Sequence, residues 1–466
     1  MDRGFPDTPE VASFPGLTQG SPSAPPPAPL WALVPEALTI NAFEVPDSPT
    51  VIPPEPGGPW PCVVIGGGAA GLLAGIFASR GGAPALVLET RKSPGAKIRV
   101  SGGARCNLLP SELAPEDFHT RGSTNVVRNV LQSWPLAEVR RFFEQELGIA
   151  LKVEETGKVF PESDDPREVV LGLLGALADA GGILVGGARV ATLQRQGPDG
   201  PFELQLEDGR IVRARRVCLA TGGLSLPKTG SDGRGFLFAR SLGHSILPLR
   251  PALVPLLALE PEWATLAGIS LVARADVLRG DKRVDSRQGD FLFTHKGFSG
   301  PVVLDVSWHF TGETSADARL AMAWLGDGAP DWEALLSRGG RQTLGGTLRE
   351  HLPRRLVHVL LARAGLEPEG ALAGLSREGR KRLVRELSQC EIKLAGDEGY
   401  RTAEVTDGGV PLAELRTQTL ESRNVPGLHF AGEIVDVCGR IGGYNFLWAW
   451  VSGRKAGTAI AAANRQ

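Results

Sequence analysis

The chain has 466 residues, and at roughly 150 residues per domain that length allows about three domains. Its 60 glycines and 36 prolines follow no collagen-like period, 42% of it is hydrophobic, and a net charge of -2 argues against a dedicated nucleic-acid binder. Five cysteines, at 62, 106, 218, 390 and 438, form neither a CxxC pair nor a disulfide framework, which excludes zinc ribbons and secreted mini-scaffolds and fits a reducing, cytoplasmic setting with no metal site.

Residues 1–60 hold 15 of the 36 prolines and only one base, Arg3. A stretch such as Ser21-Pro22-Ser23-Ala24-Pro25-Pro26-Pro27 offers few amides for helix or ladder bonding, so a disordered, polyproline-like extension is expected. It reads as a solvated tail, an over-called start or a docking arm. It lacks the basic start and apolar run of a signal peptide. Positions 56–79 carry no charge, but the glycines and prolines within them indicate turns rather than a membrane span.

Cys62-Val63-Val64-Ile65 is a short apolar run of strand type. It leads into Gly66-Gly67-Gly68-Ala69-Ala70-Gly71, a GxGxxG sequence, and then into an apolar helix pattern through Leu72, Leu73, Ile76 and Phe77. A second strand, Ala85–Leu88, ends in Glu89, followed by Thr90. Gly66 permits the tight turn, Gly68 lets backbone amides approach a pyrophosphate, and Gly71 lets the helix pack closely. The helix N-terminus presents unpaired N–H groups to the phosphates, and Glu89 is placed for ribose hydroxyls. Strand, motif, helix, strand and terminal acid within one unit predict a dinucleotide site.

Two later segments repeat the strand-to-turn logic. Arg216–Leu219 closes on Ala220-Thr221-Gly222-Gly223. Gly427–Ala431 ends in Gly432-Glu433, followed by Gly442-Gly443-Tyr444-Asn445 and an apolar helix from about Phe446. Between them lies an insertion that alternates like antiparallel strand over about 251–310 and switches to helical spacing over about 330–394.

With these segments in place, the chain resembles the glutathione-reductase-like FAD superfamily, and within it the flavoproteins labelled aminoacetone-oxidase-like or bile-acid-reductase-like. The matching stretches include Ile65–Gly71, Lys97–Asn107 (KIRVSGGARCN), Gly157–Pro161, Thr221–Gly235, Pro251–Pro255, Phe291–Pro301 and Gly427–Gly457. The resemblance implies an α/β fold: a Rossmann-type three-layer FAD domain interrupted by a β-rich substrate domain and a helical subdomain. The expected division is 61–250 and 395–466 for the FAD domain, 251–329 for the β-rich cap and 330–394 for the helices.

The resemblance also implies that Gly66, Gly68, Gly71 and Glu89 hold the ADP half of FAD, with Ala69, Ala70 and Thr90 also at the cofactor. Ala220, Thr221, Gly222, Gly432 and Glu433 would continue the site, with Glu433 fixing the flavin end. Gly442, Gly443, Tyr444 and Asn445 would open the last helix beneath the flavin ring, where amides stabilise charge on reduction. Lys97, Ser101, Gly102, Gly103, Arg105, Cys106 and Asn107 would run alongside the cofactor. Two departures are visible: Ala104 stands where a third glycine is usual, and Cys438 where an acid is common.

The expected reaction is hydride transfer between flavin N5 and a small organic substrate such as an amine or an enone. No second GxGxxG opens a helix within the insertion, so either NAD(P)H docks transiently over the ring or the substrate reduces the flavin and dioxygen reoxidises it. His295, in Thr294-His295-Lys296-Gly297, is the candidate for proton transfer or substrate anchoring, with a β-turn histidine as the plainer reading. Tyr444 is the candidate hydrogen-bond donor to substrate, or a packing residue. Cys106 and Cys438 read as packing residues rather than a disulfide relay, and Trp448 and Trp450 as interior residues of the last helix. The basic segment Arg377, Arg380, Lys381, Arg382, Arg385 is interrupted by Glu378 and reads as a solvated helix face. Nucleic acid and membrane are therefore not expected partners, and oligomeric state is left open. An FAD-dependent RNA-modifying enzyme and a non-enzymatic flavin redox sensor are the alternatives.

Overall fold

The computed structural model describes residues 58–312 and 317–465, so the Pro-rich extension up to residue 57 lies outside the described residues. Its organising element is a parallel sheet of five strands, in spatial order Leu428–Phe430, Val217–Leu219, Cys62–Ile65, Ala85–Glu89 and Ile183–Gly186. Every residue of four of them is buried, and their sequences are apolar apart from Glu89 and His429 because helices and loops cover both faces. Counted along the chain, the strands lie 5-4-1-2-3 across the sheet, so the winding reverses between the first strand and the fourth. In doubly wound sheets the ligand crevice opens at that reversal, beyond the carboxyl ends of the strands.

The helix Ala69–Arg80 packs against the last helix, Tyr444–Asn464. Small residues make the approach possible. A Cβ at Gly453 would collide with the carbonyl oxygen of Ala70, and one at Gly457 with that of Ala74. These repeats at a spacing of four put backbone against backbone and carry the start of the last helix toward the first glycine turn.

The insertion forms a seven-stranded antiparallel sheet, built on the long hairpin Ser270–Arg279 and Lys282–Phe293. Its core is aromatic, with Trp263, Phe291, Phe293, Phe298 and Trp324 linked by ring contacts. The helices Trp332–Ser337, Leu344–Arg349, Arg354–Arg363 and Arg377–Ser388 share that core through Leu336, Leu348, Leu360 and Leu383. The strands Cys390–Ile392 and Leu394–Asp397 return to the same sheet. The expected β-rich and helical segments thus pack around one hydrophobic cluster. Among the described residues, no helix is long and apolar enough to cross a membrane.

Candidate active site

A cavity of about 670 Å³ opens at the sheet reversal. It runs from Gly66, Gly68 and Glu89 to Gly442, Gly443 and Asn445, past Ala220, Thr221, Gly432 and Glu433. Every residue expected at the cofactor lines it except Gly71, Cys106 and Tyr444. His295 does not line it either.

At one end, Gly66 has φ +110°, a conformation open to glycine, and it turns the chain directly off the first strand. Gly68 precedes the helix in extended conformation, and a Cβ built there would meet no protein atom within 4 Å. Gly71 does not touch the cavity because it faces the turn: its Cβ would collide with the carbonyl oxygen of Gly66. Glu89 is buried, accepting from the Gly67 amide at 2.7 Å and the Arg91 amide at 2.8 Å. Burial pushes its pKa up, and the two amides oppose that rise. Each carboxylate oxygen retains a lone pair for a ribose hydroxyl.

The middle is held by a charged knot. Lys97 Nζ lies 2.6 Å from Glu433 Oε2 and 2.8 Å from Ser225 Oγ. Glu433 Oε1 accepts from Ser225 Oγ at 2.6 Å and from the Thr406 amide at 2.9 Å. Nearby, the helix Ala96–Ala104 breaks after Ser101: Gly102, Gly103 and Ala104 have φ of +57°, +70° and +64°. Ala104 therefore occupies a backbone region that favours glycine, the residue usual at that place. Asn107 lines the cavity with a buried Oδ1 that has no hydrogen-bond partner. An open cradle at Gly68, an orphaned acceptor at Asn107 and a helix start at Tyr444 fit the phosphates, a polar edge and a ring of FAD that gains negative charge on reduction.

Several expectations take a different form. Tyr444 turns away from the cavity, its ring edge-on to Phe118 at 6.0 Å; burial, reinforced by the Asp117 charge, pushes its phenol up to about 12. Asn445 lines the cavity and also closes the preceding loop, exchanging bonds with the Gly439 backbone at 2.8 Å each. His295 is exposed in a turn whose amides, from Lys296 and Gly297, bond to Thr294 Oγ1. Cys106 is buried beside the cavity rather than facing it, and burial raises its thiol to about 12; Cys438 is buried and raised as well. Both are free thiols. Trp450 is interior, but Trp448 also lines the cavity, bonding through Nε1 to the Gly432 carbonyl at 3.1 Å. On the basic helix, Arg380 pairs with Glu333 at 2.7 Å and Lys381 with Glu378 at 3.3 Å.

The sequence reading missed Arg440 and Glu404, which both line the cavity. Arg440 bridges Asp305 of the cap at 2.9 Å and Asp117 at 3.2 Å. Burial opposes its charge, but the two aspartates outweigh it and raise its pKa. Arg440 lies within the Gly427–Gly457 stretch but outside its glycine turns, and Glu404 lies in none of the matching stretches. The one local signal at Glu404 is an acid between Ala403 and Val405, in a context otherwise suited to burial.

Residues 61–459 match the family model described as HI0933-like protein Rossmann domain. The chain belongs to this HI0933-like family. Among curated relatives, the ribosomal RNA dihydrouridine synthase of Escherichia coli is 34% identical over 84% of this chain and 95% of its own length. The 3-dehydro-bile acid delta(4,6)-reductase of Clostridium scindens is 32% identical over 85% of this chain and 98% of its own. Among solved structures, 3-ketosteroid-delta4-(5alpha)-dehydrogenase of Rhodococcus jostii is similar at a TM-score of 0.47 and 15% identity, covering 89% of this chain and 99% of the other. As a member of the HI0933-like family, the chain is an FAD-dependent oxidoreductase. The expectation that nucleic acid is not a partner finds no support among these relatives.

Proposed function

We propose that this oxidoreductase saturates a carbon–carbon double bond conjugated to a carbonyl, and that its substrate is a uracil of ribosomal RNA. The observation that carries the reading is the single cavity joining the Gly66–Gly71 turn to the Gly442–Gly443 helix start, with the Lys97–Glu433 pair between them. The relatives' names support the reaction class. Dihydrouridine arises when the uracil ring double bond beside a carbonyl gains two hydrogens, and a delta(4,6)-reductase acting on a 3-dehydro compound performs the same chemistry on a conjugated ketone. A small unsaturated ketone is the second reading, favoured by the bile-acid relative.

Bound FAD supplies the two-electron chemistry. The amides at Gly66–Gly68 and the start of the helix bind its phosphates, and Glu89 orients the adenosine ribose. Glu433, fixed by Lys97, Ser225 and the Thr406 amide, orients the flavin end, and Asn107 Oδ1 accepts from it. The amides opening the last helix put positive potential beside the ring. A nicotinamide donor docks transiently in the same cavity.

The test uses purified holoprotein. It is expected to be yellow, to bleach anaerobically with NADH or NADPH, and to regain colour when unmodified ribosomal RNA is added, with a uridine gaining two hydrogens by mass spectrometry. Recovery with 4-androstene-3,17-dione but not RNA would select the second reading. A colourless protein that FAD cannot reconstitute would remove both.

A further inference from the structure

The acids lining the cavity fall into two groups. Glu89 accepts backbone amides, Glu154 pairs with Arg105, Asp232 with Arg189 and Glu433 with Lys97. Glu404 stands apart: among the described residues, no hydrogen bond or ion pair reaches its carboxyl group, while its amide bonds to the Leu253 carbonyl at 3.1 Å. Its side chain is exposed toward the cavity that it lines.

Its position is fixed by neighbours. Two residues on, the Thr406 amide bonds Glu433, so this segment borders the knot expected at the flavin end. Glu404 feels the charges of Lys158 and Lys97. Lys158 in turn touches the last-helix junction, where a Cβ at Gly442 would lie 3.9 Å from its Cγ. The unpaired carboxyl group is therefore at the Gly442 end of the cavity, away from the Gly68 end where the phosphates belong.

We propose that Glu404 is the acid that protonates the substrate, an inference that rests on the reduction proposed above. Saturating a conjugated double bond takes an electron pair and two protons. One proton travels with the electron pair to the β carbon, both drawn from the reduced flavin that a nicotinamide-class donor replenishes. The second must reach the α carbon. The Glu404 O–H bond breaks, its proton bonds to the α carbon, and the enolate electrons return to the carbonyl. The carboxylate left behind faces Lys158 and Lys97 and regains a proton from solvent through the cavity.

Burial raises the pKa of Glu404, Asp305 from the cap adds to the rise, and Lys158 and Lys97 oppose it. Arg440, Glu433, Arg105 and Glu154 are further charged groups lining the cavity. The acceptor step is accordingly expected to slow as pH rises through the raised pKa of Glu404, the opposite slope to one set by an ordinary carboxylate base.

The experiment compares wild type, Glu404→Gln and Glu404→Asp as FAD-loaded proteins, photoreduced without oxygen and mixed with ribosomal RNA or 4-androstene-3,17-dione. Glu404→Gln is expected to keep its FAD and to slow acceptor-dependent reoxidation by about 10²–10⁴-fold, with Glu404→Asp recovering part of the loss. A second readout needs no turnover: the infrared difference between wild type and Glu404→Gln should contain a protonated-carboxyl band that titrates above the usual glutamate range. Reoxidation of Glu404→Gln at the wild-type rate, or absence of that band, overturns the assignment while leaving the proposed function standing. Wild-type protein reoxidised by neither acceptor overturns the reaction itself, and this role with it.

Discussion

Lys97 and Glu433 meet at 2.6 Å although 336 residues separate them in the chain. Their side chains keep 24% and 16% of their surface, so the pair is screened only in part. Removing one partner of such a pair strands the other, whereas Glu433 keeps its bonds from Ser225 and Thr406 if Lys97 is lost. Lys97→Met is expected to destabilise the apoprotein by about 1–3 kcal/mol in urea unfolding and to lower FAD occupancy. A double-mutant cycle with Glu433→Gln should give a coupling above about 0.5 kcal/mol, and a value near zero would show that the pair is not a working contact.

Gly68 and Gly71 belong to one motif, but the structure separates their roles. A Cβ at Gly68 enters open cavity, while one at Gly71 strikes the Gly66 carbonyl. Gly68→Val is expected to fold with apoprotein stability within about 0.5 kcal/mol of wild type while purifying colourless. Gly71→Val should lose about 1–3 kcal/mol or more, because the backbone of the turn must move. A yellow, stoichiometrically loaded Gly68→Val would remove the pyrophosphate from that turn.

Ala104 supplies a test of the loop beside the cavity. Its φ of +64° costs a residue with a Cβ about 1–2 kcal/mol, and its side chain is exposed, so little packing is at stake. Ala104→Gly should stabilise the protein by about 0.5–1 kcal/mol in thermal or urea unfolding, and Ala104→Val should destabilise it. A loss of stability in the glycine variant would mean that the loop adopts another conformation in solution.

The first strand–turn–helix–strand unit was legible because each of its causes is local: an apolar run, a glycine turn, a helix start and an acid lie within 30 residues. The second half of the site was legible through Gly432-Glu433 and Gly442-Gly443, whose backbone demands are equally local. What the sequence hid depends on direction and distance. Whether Tyr444 faces the cavity or Phe118 is decided by the packing of the loop that Asn445 closes. His295 looked suited to acid–base chemistry, yet Thr294 organises its turn and the ring stands outside the cavity. Glu404 carried no motif, since only the folded chain brings it beside Lys97 and Lys158. The separate β-rich and helical segments likewise share one core that periodicity within either cannot reveal.

His429 ties the parallel sheet to pH. It lies in the strand Leu428–Phe430, opposite Cys218, fully enclosed, with Nδ1 3.1 Å from the Thr419 carbonyl and Nε2 without a partner. Burial lowers its pKa to about 4; the Thr419 carbonyl and Glu421 oppose that shift, and Arg216 adds to it. Because the folded value lies below that of the unfolded chain, near 6.5, the unfolded chain takes up the proton first as pH falls. The contribution is therefore fully present above about pH 6.5 and is lost between there and about pH 4, by about 2 kcal/mol at pH 5. His429→Gln can still donate to Thr419 but does not titrate. Urea unfolding at pH 7 and pH 5 should show the wild type losing about 2 kcal/mol more than this variant, and equal losses would mean that His429 is reached by solvent and titrates normally.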